Sequence, residues 1–91
     1  MKTLRYTTQY KKDFKRYRHA TAKLEKLLVV LRMLERGETV PQQYRPHWLT
    51  GNYMDCMECH IEGDFLLVWF DDEHDIIELL RLGSHAELFG K

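Results

Sequence analysis

The sequence predicts one α+β domain, residues 1–91, with a helical hairpin packed on an antiparallel four-stranded sheet in the order β-α-α-β-β-β. Apolar residues recur at helical spacing in the first half of the chain. Three apolar segments of strand length follow in the second half. A chain of this length is expected to fold around a single modest core.

The first half predicts a short strand and two helices. Residues 3–7, TLRYT, alternate apolar and polar side chains as a strand does. Thr7 or Thr8 can cap the first helix. Its apolar face would carry three aromatic residues, Tyr10, Phe14 and Tyr17. After a short break, Thr21 can cap a second helix with leucines at a period of 3.6, which Gly37 is placed to end.

The second half predicts an ordered loop and three strands. The loop contains both prolines and precedes the strand segments YMDCMECHI, FLLVWF and DIIELLRL. Gly63 and Asp64 supply the turn between the first two strands, and DDEHD separates the second from the third. A short tail, GSHAELFGK, follows the last strand.

Two features favour a cytoplasmic protein with no membrane partner. The longest apolar runs, LLVVL and FLLVWF, are far shorter than the roughly 18 residues that a membrane span needs. The N-terminal residues also lack the apolar stretch of a signal peptide. The two cysteines are therefore expected to be thiols.

The net charge of zero conceals two oppositely charged halves. Residues 1–45 contain 12 Lys and Arg against 4 Asp and Glu, whereas residues 46–91 contain 2 against 10. A basic half is typical of a protein that binds a polyanion such as nucleic acid or an acidic protein. The alternative is that the two halves neutralise each other in the fold.

The stretch CMECH, residues 56–60, matches the C-x-x-C-H motif of covalent haem attachment. On a strand, however, Cys56 and Cys59 would face opposite sides of the sheet, so one haem or one zinc ion could not use both. A structural zinc site would also need a second pair of ligands at short spacing. We therefore expect the protein to bind neither haem nor zinc, with Cys59 in the core and Cys56 at the surface.

Several polar residues from separate segments could converge at one edge of the sheet. They are His47, His60, Asp64, Arg81 and His85, and Glu58 shares the strand face of His60. Imidazoles transfer protons near neutral pH and arginine neutralises phosphate, so such a group would suit acid–base cleavage of a phosphodiester. The alternative is that they are scattered surface residues.

Three motifs resemble the YafQ branch of the RelE/ParE toxin superfamily. They are H-x-L-x-G at residues 47–51, H-[IV]-E-x-D-[FW] at residues 60–65 and R-x-G-[ST]-H-x-x-L-F-G at residues 81–90. The length and basic character of the helical hairpin agree as well, so the resemblance extends over essentially the whole chain. It implies a RelE-like fold and the toxin of a type II toxin–antitoxin system.

The resemblance also implies an activity. Toxins of this branch cut messenger RNA in the ribosomal A site, without metal or cofactor, and are held inactive by an antitoxin, here expected to be DinJ- or RelB-like. The family's catalytic residues correspond to His47, His60, Asp64 and His85. Its RNA-contacting residues correspond to Arg81, Phe65 and Phe89, to which the basic helix adds Lys11, Lys12 and Lys15.

In the implied reaction, His85 is the general acid and His60 or His47 is the base, Asp64 orients a histidine, and Arg81 stabilises charge on the phosphate. Two alternatives remain open. One is a gyrase inhibitor of the ParE branch, which needs no catalytic cluster. The other is a non-catalytic RNA- or protein-binding module of the same fold.

Overall fold

A computed structural model describes residues 1–72 and 74–90 of the chain. Glu73 in the predicted turn and Lys91 in the predicted tail lie outside the described residues. The elements are β1 (Thr3–Tyr6), α1 (Thr8–Lys15), α2 (Thr21–Glu35), β2 (His47–Trp48), β3 (Met57–Glu62), β4 (Phe65–Asp71), β5 (Ile76–Gly83) and α3 (His85–Phe89). No helix in this described part is long and apolar enough to cross a membrane.

The five strands form one mixed sheet in the order β1-β5-β4-β3-β2. The predicted α+β class is confirmed, but the sheet has five strands rather than four and is not wholly antiparallel. β1 pairs with β5 in parallel, and the two helices and the following loop carry the chain from β1 to β2 at the opposite edge of the sheet. The fifth strand, β2, lies in the predicted loop and pairs with β3 over two residues.

The helix boundaries follow local capping chemistry. The Thr7 hydroxyl caps α1 by accepting from the Tyr10 N–H at 3.1 Å, as predicted. The prediction that Thr21 caps α2 is wrong: Ala20 is the N-cap, without a side-chain hydrogen bond, and Thr21 is already helical. Gly37 follows the end of α2 with φ +72°, a conformation that glycine adopts without strain.

The sheet has a buried cluster on each face. The larger one packs α1 and α2 on the sheet and contains Cys59, whereas the smaller one contains Cys56 together with Leu66, Val68 and Leu88. The two cysteines therefore lie on opposite faces, as predicted. The expectation that Cys56 is a surface residue is wrong, because α3 covers that face and leaves Cys56 only 7% exposed. Burial raises the pKa of the Cys59 thiol to about 12, so it stays protonated.

A buried carboxylate joins α1 to the last strand. Asp13 is fully buried and accepts from the Arg81 Nε at 2.8 Å and from the Leu82 N–H at 3.0 Å. Burial alone would raise the pKa of Asp13, but hydrogen bonds from Arg81, Leu82 and Gln9 outweigh it, so this pKa lies below its ordinary value. Asp13 is thus an ionised group inside the domain, balanced by Arg81.

Replacing Asp13 with Asn should lower the free energy of unfolding by about 3 kcal/mol, since Arg81 would be left without its buried counter-ion. The folded pKa of Asp13 is depressed, so its stabilisation is fully present above the unfolded value of about 3.9 and is lost as the pH falls through the folded value. The difference between wild type and variant should therefore narrow below about pH 4. Denaturant titrations at neutral and acid pH measure this difference in the free energy of unfolding, and Glu25→Gln, at an exposed position, is the control. An unchanged difference at both pH values would contradict an ionised Asp13.

Candidate active site

Three histidines from distant parts of the chain form a row. The ring centroids of His47 and His60 lie 6.2 Å apart, and those of His60 and His85 lie 5.7 Å apart. Phe89 continues the row, with its ring 6.1 Å from that of His85. The structure therefore brings together the histidines that the sequence motifs single out.

His47 is positioned by the two-residue strand β2. It stands directly opposite Glu58 in the β2–β3 pairing, and its Nε2 lies 3.0 Å from Oε1 of that buried carboxylate. Its Nδ1 lies 2.8 Å from the carbonyl oxygen of Arg45, a residue in the left-handed region with φ +50°. Because a carbonyl only accepts, Nδ1 of His47 must carry a proton.

His60 is positioned by a tight hairpin and a bulge. The predicted turn at Gly63 and Asp64 is confirmed: Glu62 pairs with Phe65 across it, and Gly63 has φ +46°. The register of the β3–β4 pairing shifts between His60 and Glu62, as it does at a β-bulge. Bulges next to active sites change the direction in which a side chain points. The Nδ1 of His60 donates to the Gly63 carbonyl at 2.9 Å, which leaves Nε2 of the neutral ring as an acceptor.

His85 is paired with Asp64. Oδ1 of Asp64 accepts from both the backbone N–H of His85 at 2.9 Å and its Nδ1–H at 2.8 Å. These two hydrogen bonds hold the pKa of the Asp64 carboxyl below its ordinary value, and the bond from the backbone N–H has the larger effect. The carboxylate fixes the ring orientation and leaves Nε2 of His85 free to exchange a proton.

His85 is the first residue of α3, and a capping box fixes the start of this short helix. The Ser84 hydroxyl accepts from the Glu87 N–H at 3.1 Å, and the Glu87 carboxylate accepts from the Ser84 N–H at 2.8 Å. Glu87 also accepts from the Tyr17 hydroxyl, and burial together with that carboxylate raises the pKa of Tyr17 to about 12. A Cβ at Gly83, whose φ is +150°, would lie 2.5 Å from the Glu87 carboxylate.

Two predicted RNA-contacting residues are enclosed in the protein. Phe65 is only 2% exposed and its ring packs against Tyr17, which corrects the expectation that it contacts RNA. Arg81 was expected to contact phosphate directly, but Asp13 and the hydroxyl of Tyr53, at 3.2 Å, occupy its guanidinium. Its side chain is 15% exposed.

The remaining predicted contacts lie at the surface. Phe89 is 36% exposed and packs edge-on against Tyr53, which places an aromatic face next to His85. Lys11, Lys12 and Lys15 are exposed, and the part of the chain that the structure describes puts no carboxylate within ion-pair distance of them. Elsewhere the two halves do neutralise each other, as in the Lys2–Asp71 and Lys26–Glu62 pairs.

An open cleft of about 420 Å³ adjoins His60. Two cations, Lys26 and Arg45, line it together with Gln43 and Tyr44. Lys26 is paired with Glu62 at 3.0 Å, whereas Arg45 is exposed. The cleft therefore gives the histidine row a border with a Lys26–Glu62 ion pair and one further exposed cation, Arg45.

Sequence reasoning left four site-forming residues unassigned. Glu58 shares a strand face with His60, but only the β2 pairing brings His47 to it. Asp13 lies beside the aromatic face of α1 that is buried, and a charged residue at such a position indicates a buried partner of opposite charge. The S-x-x-E spacing of Ser84 and Glu87 is the capping-box pattern and could have identified α3.

Comparison with known proteins agrees with this geometry. The family described as the bacterial toxin YafQ of type II toxin–antitoxin systems matches residues 2–90. The mRNA interferase toxin YafQ of Escherichia coli (strain K12) is 30% identical over 89 residues, covering 96% of this chain and 95% of that protein.

Solved structures give the same picture. A copper-bound L66S mutant toxin from Helicobacter pylori superimposes with a TM-score of 0.88 at 35% identity, covering 98% of this chain and all of that one. The toxin in the E. coli DinJ–YafQ complex superimposes with a TM-score of 0.86 at 25% identity, covering 99% of this chain and 100% of that one. Because the family match spans residues 2–90 and the alignment covers 95% of the E. coli relative, this chain belongs to the YafQ toxins of bacterial type II toxin–antitoxin systems.

Proposed function

We propose that this toxin is an endoribonuclease that cuts messenger RNA on the ribosome by acid–base catalysis through the 2′-hydroxyl, without a metal ion. The observation that carries the proposal is the Asp64–His85 pair set 5.7 Å, ring to ring, from His60. The name of the E. coli relative, an mRNA interferase toxin, supports the same activity.

His85 is the general acid in this proposal. Its Nδ1–H is held by Asp64, so the ring is oriented and Nε2 is the atom that carries the transferable proton. The acceptor is the departing 5′-oxygen, which would otherwise leave as a strong base. Asp64 acts as the positioning residue, because it contacts both the ring and the backbone of His85.

His60 is the stronger candidate for the general base. Its Nδ1–H is held by the Gly63 carbonyl, so Nε2 of the neutral ring can accept the proton of a ribose 2′-hydroxyl. The freed oxygen attacks the adjacent phosphorus, the bond to the 5′-oxygen breaks, and His85 protonates that oxygen. His47 is the weaker candidate, since its Nε2 faces Glu58 at 3.0 Å.

The RNA contacts are assigned by exposure. Phe89 offers an aromatic face for a nucleobase beside His85. Arg81 takes a positioning role, since its guanidinium donates to Tyr53 and to the Leu88 carbonyl of α3. Lys11, Lys12 and Lys15 would bind ribosomal phosphates, because they are exposed cations without a carboxylate partner in the described chain.

The proposed partners are an antitoxin and the ribosome. The E. coli YafQ was crystallised in complex with DinJ, which supports an antitoxin of that kind here. In His85, the backbone N–H and the ring Nδ1–H are both held by the Asp64 carboxylate. A gyrase inhibitor or a pure binding module has no need of a histidine fixed in this way. The Asp64–His85 pair therefore favours the nuclease.

Replacing His85 with Ala should reduce messenger cleavage by about 10²–10⁴-fold, because the leaving oxygen loses its proton donor. Gln at position 85 should be nearly as damaging, since an amide donates a hydrogen bond but no proton. Primer extension on a translating messenger measures the cleavage, and ribosome pelleting measures binding, which should be unchanged in both variants. His74→Ala, an exposed histidine in a turn, is the matched control. Wild-type cleavage by both His85 variants would exclude His85 as the acid.

Replacing Lys11, Lys12 and Lys15 together with Gln should weaken ribosome binding and flatten its salt dependence, because fewer phosphate counterions are released. Gln is chosen because Lys12 and Lys15 lie in the last turn of α1, where an acidic residue would oppose the helix dipole. Pelleting across a salt series measures the slope. The control replaces Arg32 and Arg36, exposed cations at the end of α2, with Gln. An unchanged slope in the lysine variant would place the ribosome contact elsewhere.

A further inference from the structure

Three potential ligands converge at one end of the histidine row. One ligand atom from each of His47, Glu58 and His60 lies within 4.8 Å of the other two. Glu58 is buried with 2% exposure, His47 is exposed and His60 is partly exposed, so solvent reaches the group at the two histidines. A carboxylate with two imidazoles is a ligand set that transition metals use.

The hydrogen bonds prepare both histidines to coordinate through Nε2. The Nδ1 of His47 donates to the Arg45 carbonyl at 2.8 Å, and the Nδ1 of His60 donates to the Gly63 carbonyl at 2.9 Å. Metal-ligating histidines usually donate their second ring N–H to a carbonyl or carboxylate in this way. The ring of His60 is thereby fixed with its lone pair on Nε2. Nε2 of His47 faces the Glu58 carboxylate at 3.0 Å, so a metal ion would take the place of the proton between these two ligands.

Glu58 needs a positive partner that the protein supplies only in part. Its Oε1 lies 3.0 Å from the His47 Nε2, and its Oε2 is buried without a hydrogen-bond partner. The side chains in residues 1–72 and 74–90 place neither Lys nor Arg within ion-pair distance of it. A buried carboxylate oxygen left unpaired is costly, and a bound cation would compensate it.

We propose that His47, Glu58 and His60 form a binding site for one divalent transition metal ion, of the Zn²⁺ or Cu²⁺ type. This departs from the sequence-based expectation of no zinc, which considered the cysteines and ligands at short spacing, whereas these ligands meet only in the fold. Ligand atoms around tetrahedral zinc are about 3.3 Å apart, given metal–ligand distances of about 2.0 Å. The three groups therefore need to close by about 1.5 Å at the widest pair, which rotation of the exposed His47 and the partly exposed His60 allows. Water completes the coordination.

The ligand chemistry sets the selectivity. Two imidazoles and a single carboxylate suit zinc and copper, whereas Mg²⁺ and Ca²⁺ require mainly oxygen ligands. His85 does not belong to the group, because the three ligand atoms that lie within 4.8 Å of one another come from His47, Glu58 and His60. The Arg45 and Gly63 carbonyls act from behind the two ligating rings.

The bound ion would inhibit the proposed cleavage, and this consequence rests on the proposed function. Once Nε2 of His60 is bonded to a metal, it has no lone pair with which to accept the 2′-hydroxyl proton. His47, the second candidate base, is withdrawn by the same ion. Metal binding and proton transfer are thus alternative uses of the same nitrogen atoms.

The test is calorimetric titration of chelator-treated protein with zinc chloride. We expect one ion per chain, with affinity reduced more than about tenfold in Glu58→Gln and in His60→Asn, since each loses a ligand. His19→Asn and His74→Asn, which alter exposed histidines away from the cluster, should bind as wild type does. Titration with Cu²⁺ should give an electron paramagnetic resonance spectrum with hyperfine splitting from two nitrogens in wild type and from one in His60→Asn.

Thermal unfolding separates loss of a ligand from loss of the fold. Zinc should raise the midpoint of wild type and leave that of a folded His60→Asn protein unchanged. If Glu58→Gln fails to fold, the partly exposed His60 carries the test alone. Wild-type affinity in both ligand variants, or loss of binding in the control variants, would overturn the site.

The two proposals fail in different ways. Stoichiometric zinc binding that depends on Glu58 and His60 supports the metal site even if no messenger is ever cut, in which case the proposed nuclease is wrong. Cleavage that zinc suppresses and a chelator restores supports the inhibition. Cleavage that proceeds unchanged at saturating zinc would refute it.

Discussion

The buried ion pair between Asp13 and Arg81 is the constraint on which the rest of the structure depends. Its carboxylate lies on α1 and its guanidinium on β5, so the pair joins the helical layer to the sheet. Arg81 also donates to the Tyr53 hydroxyl and to the Leu88 carbonyl of α3. Tyr53 in turn packs against Phe89, the neighbour of His85. A charge inside the helical layer is thus connected, contact by contact, to the ring that would donate the proton.

The histidine row is positioned by the backbone as much as by side chains. His47 and His60 are held by carbonyls of Arg45 and Gly63, two residues with positive φ, and His85 is held at the first position of a capped helix. These restraints are local to each ring, whereas the rings come from three different elements. The sheet supplies the register that aligns them, and the turns and caps supply the orientation. Side chains with so large an exposed surface would otherwise sample several rotamers.

The sequence predicted those features that local patterns determine. Helix periodicity, the Gly63–Asp64 turn and the strand segments were sufficient for the α+β class and for the two faces of the cysteine strand. The parallel β1–β5 pair and the two-residue β2 were not predictable, because both depend on contacts between residues far apart in the chain. The same limit applied to Cys56 and Phe65, whose burial comes from α3 and from Tyr17. Motif resemblance named the histidines, but only the fold shows that Arg81 faces a buried carboxylate.

The pairing of the first strand with the last has a consequence for how the chain reaches this structure. β1 can form its hydrogen bonds only after β5 is present, so its pairing depends on a strand near the other end of the sequence. Until then the apolar faces of α1 and α2 have no complete sheet to cover, and contacts of such high sequence separation make folding slow. The Asp13 carboxylate would likewise remain in water until Arg81 arrives. His85 follows β5 directly, so a partly synthesised chain lacks both the proposed acid and its scaffold, and the histidine row is completed last.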